Sequence, residues 1–317
     1  MDRLPTKKPH VQQWKPMDFV AYRVVRRIEG KYLHLDAPLT MAISKEYGGG
    51  FVVKYENRRL RHIGLQDLVF ECPANKGKTR ADYKDIPRGR DYKFSPEMFF
   101  NYVARFKHVE HSWMHNVNST YFHNFLSLNA GTKHNTISKC HHFYPSFSNP
   151  PLFSGQSAFH FDGQLNLLDR CHADYSFHSY AFMGRVQGPN VLLKCTATGS
   201  GDVGPHMRWS TGQLYDGINI EGKLVIQDRK DSGTGHGWAG ANSLVWNSRC
   251  QGGIVVQQPP TAQNFAIGST DKLAKQIVSW HRRGWWESAG SPVGPSSLYE
   301  AQLEERLRRK PSAWREQ

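Results

Sequence analysis

From about residue 60 the chain settles into a rhythm of hydrophobic and polar positions. A short apolar run comes first, then a polar or cysteine position, then a loop of variable length. The runs fall at residues 63–72, 109–117, 136–140, 167–171, 191–195, 218–227 and 243–247. They are short for helices, and the alternation inside 218–227 has the period of a strand. Asn116 precedes Cys140 by 24 residues, Cys140 precedes Cys171 by 31, and Cys171 precedes Cys195 by 24. Intervals of this size with short strands and uneven loops predict a solenoid. With so little helix between the strands, the expected fold is all-β, a right-handed parallel β-helix. Equivalent residues of such a coil stack turn on turn. Cys140, Cys171 and Cys195 are therefore expected to form an inward column of small buried thiols, with Asn116 in the same column.

The flanks read differently. Residues 19–25 and 32–36 alternate around Glu29-Gly30 and predict a hairpin. Residues 51–55, after a glycine run, read as a further strand. Residues 95–106 and 271–280 are helix candidates. Residues 297–307 predict a helix with Ser297 as its cap and Leu298, Leu303 and Leu307 on one stripe. This short helix is expected to cap the open C-terminal end of the coil. The organisation expected is one structural domain. Residues 1–59 form N-terminal strands and a cap, 60–270 the β-helix, and 271–317 a helical or extended C-terminal cap.

Charge narrows the choice of partner. The chain carries 41 Lys and Arg against 27 Asp and Glu, a formal charge of +14. Such a surface favours polyanions. The basic residues are spread out, without a compact arginine-rich helix or an RNA-binding signature, so nucleic acid is disfavoured. An odd count of five Cys without CxxC spacing argues against a zinc site or a complete disulfide framework. No apolar run reaches the length of a membrane span, and no membrane partner is expected.

The residues with the most chemistry lie between 204 and 247. Two Gly/His/Trp clusters flank a strand-like run: Gly204-Pro205-His206-Met207-Arg208-Trp209 and Gly233-Thr234-Gly235-His236-Gly237-Trp238. A His exchanges protons near neutral pH, and Arg208 is a fixed cation suited to two-pronged pairing with a carboxylate. Trp209 and Trp238 offer flat apolar faces that suit sugar rings, and Asn242 is a third candidate for substrate binding.

These stretches resemble the pectate-lyase-like family of microbial parallel β-helix proteins. The resemblance runs from about Trp14 to Leu307. It is carried by Leu35-Asp36-Ala37-Pro38-Leu39, the 204–209 cluster and residues 233–242. Pro259-Pro260 with residues 264–268, and Ser297-Leu298-Tyr299 with Gln302-Leu303, add to it. It implies the β-helix, secretion, and binding or cleavage of a polysaccharide. The N-terminus nevertheless shows no apolar secretion signal, so a cytoplasmic or shortened form is the alternative expectation. Met207 stands where the family often has a second His, and Phe177-His178 where it often has Arg-His.

The function expected from this resemblance is β-elimination on an acidic, uronate-containing polysaccharide, by a monomer. That reaction needs a group to neutralise the carboxylate, a base, and an acid near the leaving oxygen. Arg208 is the expected neutraliser, His206 or His236 the base, and His178 with Tyr180 the acid or second base. Calcium is the alternative neutraliser, with Asp202, Asp216, Asp228 and Asp231 near in sequence, but no dense acidic motif assigns a metal. His108, His111, His115, His141 and His142 are expected mostly on the surface or in loops, and His111 and His115 lie too far apart along a strand for one zinc. Two further readings share the fold: a glycoside hydrolase, which needs paired carboxylates, and an inactive glycan-binding coil.

Overall fold

A run of three to five residues gains too few hydrogen bonds to stand alone, so each must pair on both sides. The computed structural model describes residues 19–72, 102–143, 157–199 and 201–308. In it the strands pair with the next turn of the same chain, in parallel. One sheet has seven strands in chain order: Tyr102–Phe106, Asn124–Leu128, Ser157–Phe161, His178–Phe182, Asp202–Pro205, Lys223–Ile226 and Ile254–Val256. The second sheet has two wings that meet at Trp113–Thr120, which pairs along one edge with Gly64–Glu71 and along the other with Thr136–Ser138 at its start and His141–Phe143 at its end. One wing continues through Leu167–Asp169, Gln187–Leu193, Ser210–Asp216, Leu244–Trp246, Phe265–Ile267 and Trp285–Glu287. The other runs through His172–Ala173, Thr196–Ala197, Asn219–Ile220 and Arg249–Cys250. The chain is a parallel β-helix with three strands to a turn.

The core is built of columns. Ala104, Leu126, Phe159, Tyr180, Val203 and Leu224 stack in register, as do Phe106, Leu128, Phe161 and Phe182. Phe159 lies 4.9 Å from Tyr180 and Phe161 4.5 Å from Phe182, ring on ring. Cys140, Cys171 and Cys195 form the expected inward thiol column and are free and buried. Its neighbour at the start is Val117, because Asn118 is the residue in register with His141. Asn116 belongs instead to an adjacent column at the bend, with Lys139, Arg170, Lys194 and Asn247. All five have positive φ between 45° and 52°. The turn here is 23 residues long, one fewer than the interval from Asn116 to Cys140.

A second column binds the turns through side chains. Asn166 Oδ1 accepts from Asn135 N and Nδ2 at 3.1 and 3.0 Å, and Asn166 N donates to Asn190 Oδ1 at 3.0 Å. Asn190 Nδ2 donates to Gln213 Oε1, and Ser243 N to Asn264 Oδ1. All of these residues are buried.

The flanks depart from expectation in several places. The hairpin forms between Val25–Glu29 and Tyr32–Leu35. Residues 51–55 are not a strand: they have no ladder partner, and Phe51 and Val52 are exposed. Residues 271–280 are extended and turned, not helical, with Leu273 bridging to Ile254. Residues 102–106 are a strand, and the rest of the 95–106 candidate helix lies outside the described residues. The coil runs past residue 270, since Trp285–Glu287 pairs with Phe265–Ile267.

The helix Leu298–Arg308 forms, but on the flank of the coil. Ser297 Oγ accepts from Glu300 N and donates to Asp216 Oδ2, which also accepts from Tyr299 N. Glu300 meets Lys194, and Trp246 Nε1 donates to Pro295 O. The helix buries no residue of its own, so polar contacts to successive turns hold it rather than an apolar end.

Replacing Asn166 by Ala removes the acceptor for two buried donors of Asn135. The expected cost is about 2 kcal/mol or more, read as a lower urea midpoint. An unchanged midpoint would show the column to be ornamental.

Candidate active site on the seven-stranded sheet

The outer face of the seven-stranded sheet carries the histidines. His178 is paired in register with Ser157 on one side and Asp202 on the other. The register slips between His178 and Tyr180, so two steps on this strand oppose one on the next. Such a bulge re-aims a side chain. Asp202 Oδ1 is hydrogen-bonded to His178 Nδ1. His206 follows the next strand, its N–H donating to Phe182 O at 2.6 Å. Its ring meets His178 edge to face at 4.5 Å. His236, from the following turn, lies 4.7 Å from His206. Gly233 packs on His236 so closely that a Cβ there would lie 2.4 Å from Nε2, at a φ of +56°. Three turns thus deliver three rings to one line.

Two arginines border that line. Arg229 Nη1 donates to His206 O at 2.7 Å and lies 3.2 Å from His206 Nδ1. Because a guanidinium only donates, it makes Nδ1 an acceptor and leaves the proton of neutral His206 on Nε2. Arg208 Nη2 donates to Thr234 O and Oγ1. Arg208 and Trp209 both have left-handed φ, 53° and 62°, and their N–H groups donate to His236 O and Trp238 O. Consecutive strained non-glycine residues are held only where surroundings insist on them. Arg208 Nε and His236 Nδ1 are buried without a hydrogen-bond partner. Below these residues is a cavity of about 90 Å³ lined by Tyr102, Asn124, Ser157 and Met183 around the rings of His160, His178 and His206. His160 lies 3.2 Å from Asp162.

Burial and the neighbouring cations hold His206 and His236 neutral. His206 is pushed down to about 2 by burial, then by His178 and Arg229. His236 is pushed down to about 4 by burial, then by Arg229 and Arg208. Burial also lowers Arg208 and Arg229, with Asp202 opposing the shift at Arg229.

The sequence-predicted residues divide accordingly. His178, His206 and His236 come together, with Arg208 beside them. Tyr180 does not join them. It is 1% exposed, stacked in the core, and its hydroxyl donates to Cys171 O and Thr196 O. His178 and Tyr180, two positions apart, face opposite ways at the bulge. Trp209 stands at the strained turn, and Trp238 packs on His281 at 4.6 Å. Asn242 serves the frame: Nδ2 donates to Thr40 O and Oδ1 accepts from Gln263 N.

Three of the four aspartates named for calcium do separate jobs. Asp202 holds His178, Asp216 holds the helix start, and Asp228 Oδ2 holds His281 at 2.8 Å. Among the described residues no group of three His, Cys, Asp or Glu is arranged to hold a metal. His111 stacks between His62 and His134, and His142 is fully buried against Ser119 and Phe125 rather than in a loop. Asp202 as partner of His178, and Arg229 as partner of His206, were missed. Each sits 24 or 23 residues beyond its histidine, one turn of the coil, so the interval seen in the cysteines would have found them.

The fold and site define a parallel β-helix with a histidine-rich cleft bordered by arginines. No protein-family model, curated protein or solved structure matches the chain. No helix among the described residues is long and apolar enough to cross a membrane.

Two outcomes follow from these placements. Tyr180→Phe is expected to leave any activity of the cleft intact while costing about 1–2 kcal/mol of stability, measured by denaturant unfolding. Loss of activity at unchanged stability would return Tyr180 to the chemistry. Separately, His134, His142 and His236 are held neutral down to about 4 and His206 to about 2. The unfolded chain takes up those protons first, near 6.5. Stability is therefore full above that value and drains as pH falls towards 4, while Asp169 and Asp216, raised by burial, act in the opposite sense. Unfolding midpoints flat across this range would contradict the burial of the rings.

Proposed function

We propose that the cleft cleaves an acidic, uronate-containing polysaccharide by β-elimination. The observation that carries this reading is the Asp202–His178–His206–Arg229 chain beside Arg208. Its hydrogen bonds favour His178 over His206 or His236 as the base, and Arg208 keeps the role expected of it. With Asp202 accepting from Nδ1–H, His178 presents the lone pair of Nε2, so His178 is the base. His206 is a neutral N–H donor, too weakly basic to take the proton. Arg208 neutralises the uronate carboxylate and supports the negative charge that develops on it.

In the step proposed, His178 Nε2 takes the proton next to the carboxylate. The electron pair of that C–H bond becomes the new C=C bond, and the bond to the 4-linked oxygen breaks. The imidazolium, held by Asp202, then gives its proton to the departing oxygen. The products are a new chain end and an unsaturated uronate. Hydrolysis is less well served. Asp162 and Asp202, the carboxylates at the cleft, each face a histidine rather than each other across an open gap. Phe177, exposed and edge-on to His178 at 4.5 Å, is the feature that suits a binding coil without turnover.

Ultraviolet absorbance of the unsaturated product, across a panel of acidic polysaccharides, tests the assignment. His178→Ala and Asp202→Asn are expected to lower kcat by about 100-fold or more, while Arg208→Ala raises KM as well. New reducing ends without absorbance would mean a hydrolase. Tight binding with neither signal would mean a glycan-binding coil.

A further inference from the structure

The loop that brings His236 into the cleft also sends a lysine out of it. Lys230 Nζ stands 3.7 Å above the ring centroid of Trp280. Trp280 is 69% exposed, one of the most exposed aromatic residues among those described. Its seat is fixed. Next to it, His281 Nε2 is 2.8 Å from Asp228 Oδ2, and Asp228 Oδ1 accepts from Lys230 N at 2.8 Å. The segment before it is anchored by Ile277 N to Gln227 Oε1 and by Gln257 Nε2 to Val278 O. Its inner side chain, Ala274, packs on Val225 and Val255 at the outer face of the sheet. Trp280 is exposed on a firm support, not on a loose end.

A cation over an indole can serve simply to pin a loop. Two observations point further. The aromatic contacts run on from the cleft: His206 to His236 at 4.7 Å, then Trp238, two residues along, to His281 at 4.6 Å, then Trp280 at 6.0 Å. The surroundings are also basic, with Lys275 and Arg282 exposed nearby in sequence, while Asp228 is taken up by His281 and Asp271 by Arg283. A uronate offers a flat C–H face and a carboxylate on one ring. An indole beside an ammonium matches both.

We propose that Trp280 and Lys230 form an outlying subsite for one uronate ring of the chain that occupies the cleft. The sugar face lies on the exposed indole and its carboxylate pairs with Lys230, which leaves the ring to do so. This rests on the reading of the cleft as a site for an acidic glycan. Successive turns of the coil are spaced about 4.8 Å apart. The subsite therefore serves long substrates and is out of reach of short ones.

The test uses the full chain with polygalacturonate and alginate, their disaccharides, a neutral β-glucan and a DNA duplex. Binding is followed by calorimetry and affinity electrophoresis. Trp280→Ala and Lys230→Met, both checked by thermal unfolding, are expected to weaken binding of a long polyuronate about tenfold. Disaccharide binding and turnover stay at the parent level. If the parent binds a polyuronate and both variants bind it equally well, the subsite is wrong and the cleft reading survives. If the parent binds no acidic glycan, both fall. A loss seen equally with the DNA duplex, or with the neutral glucan, would reduce the patch to a charge or an aromatic surface and overturn the proposal.

Discussion

Everything in this coil depends on one turn being completed by the next. A strand of three residues such as Leu167–Asp169 has no stability of its own, and its backbone groups are satisfied by Thr136–Ser138 below and Val191–Leu193 above. The side chains follow the same rule. Asn135, Asn166 and Asn190 each hand a carbonyl oxygen to the turn before. The aromatic pairs Phe159–Tyr180 and Phe161–Phe182 each span two turns. Burial, polar satisfaction and ring stacking therefore share one axis, and the unit that folds is the stack rather than the turn.

The cleft is a product of that stacking. No single turn holds two of its central histidines: His178, His206 and His236 arrive from three consecutive turns, and each depends on a neighbour from another. Asp202 orients the ring of the turn before its own, and Arg229 does the same for His206. The proton positions are thus set by contacts between turns. A slip in register beside His178 and two left-handed residues in succession, Arg208 and Trp209, lie here too.

The coil was legible in the sequence because its period is carried by residue types that stand out, above all Cys140, Cys171 and Cys195. The gathering of the histidines was partly legible for the same reason. The phase was harder. Asn116 and Cys140 sit one position apart in the stack, because bends accept lysine, arginine and asparagine alike, and no residue type marks them. Tyr180 was misjudged because strand alternation fails at a bulge, which no local motif announced. In residues 271–280 the two buried side chains, Ala274 and Val278, are spaced four apart, as a helix would also place them. In the structure that spacing serves an extended strap over the sheet. The asparagine column went unseen, since its members are separated by uneven loops and resemble ordinary polar residues until they are stacked.

The pairing of His178 with Asp202 also makes the site a gauge of chain length. The two are 24 residues apart and must arrive side by side after one circuit. A residue added within a loop bulges outward and leaves the circuit closed. A residue added within a strand shifts every later side chain to the opposite face. It would carry Asp202 out of its place opposite His178. Variation in this chain is therefore free in its corners and forbidden along its sides, and the cleft can tolerate new neighbours far more readily than a change in count.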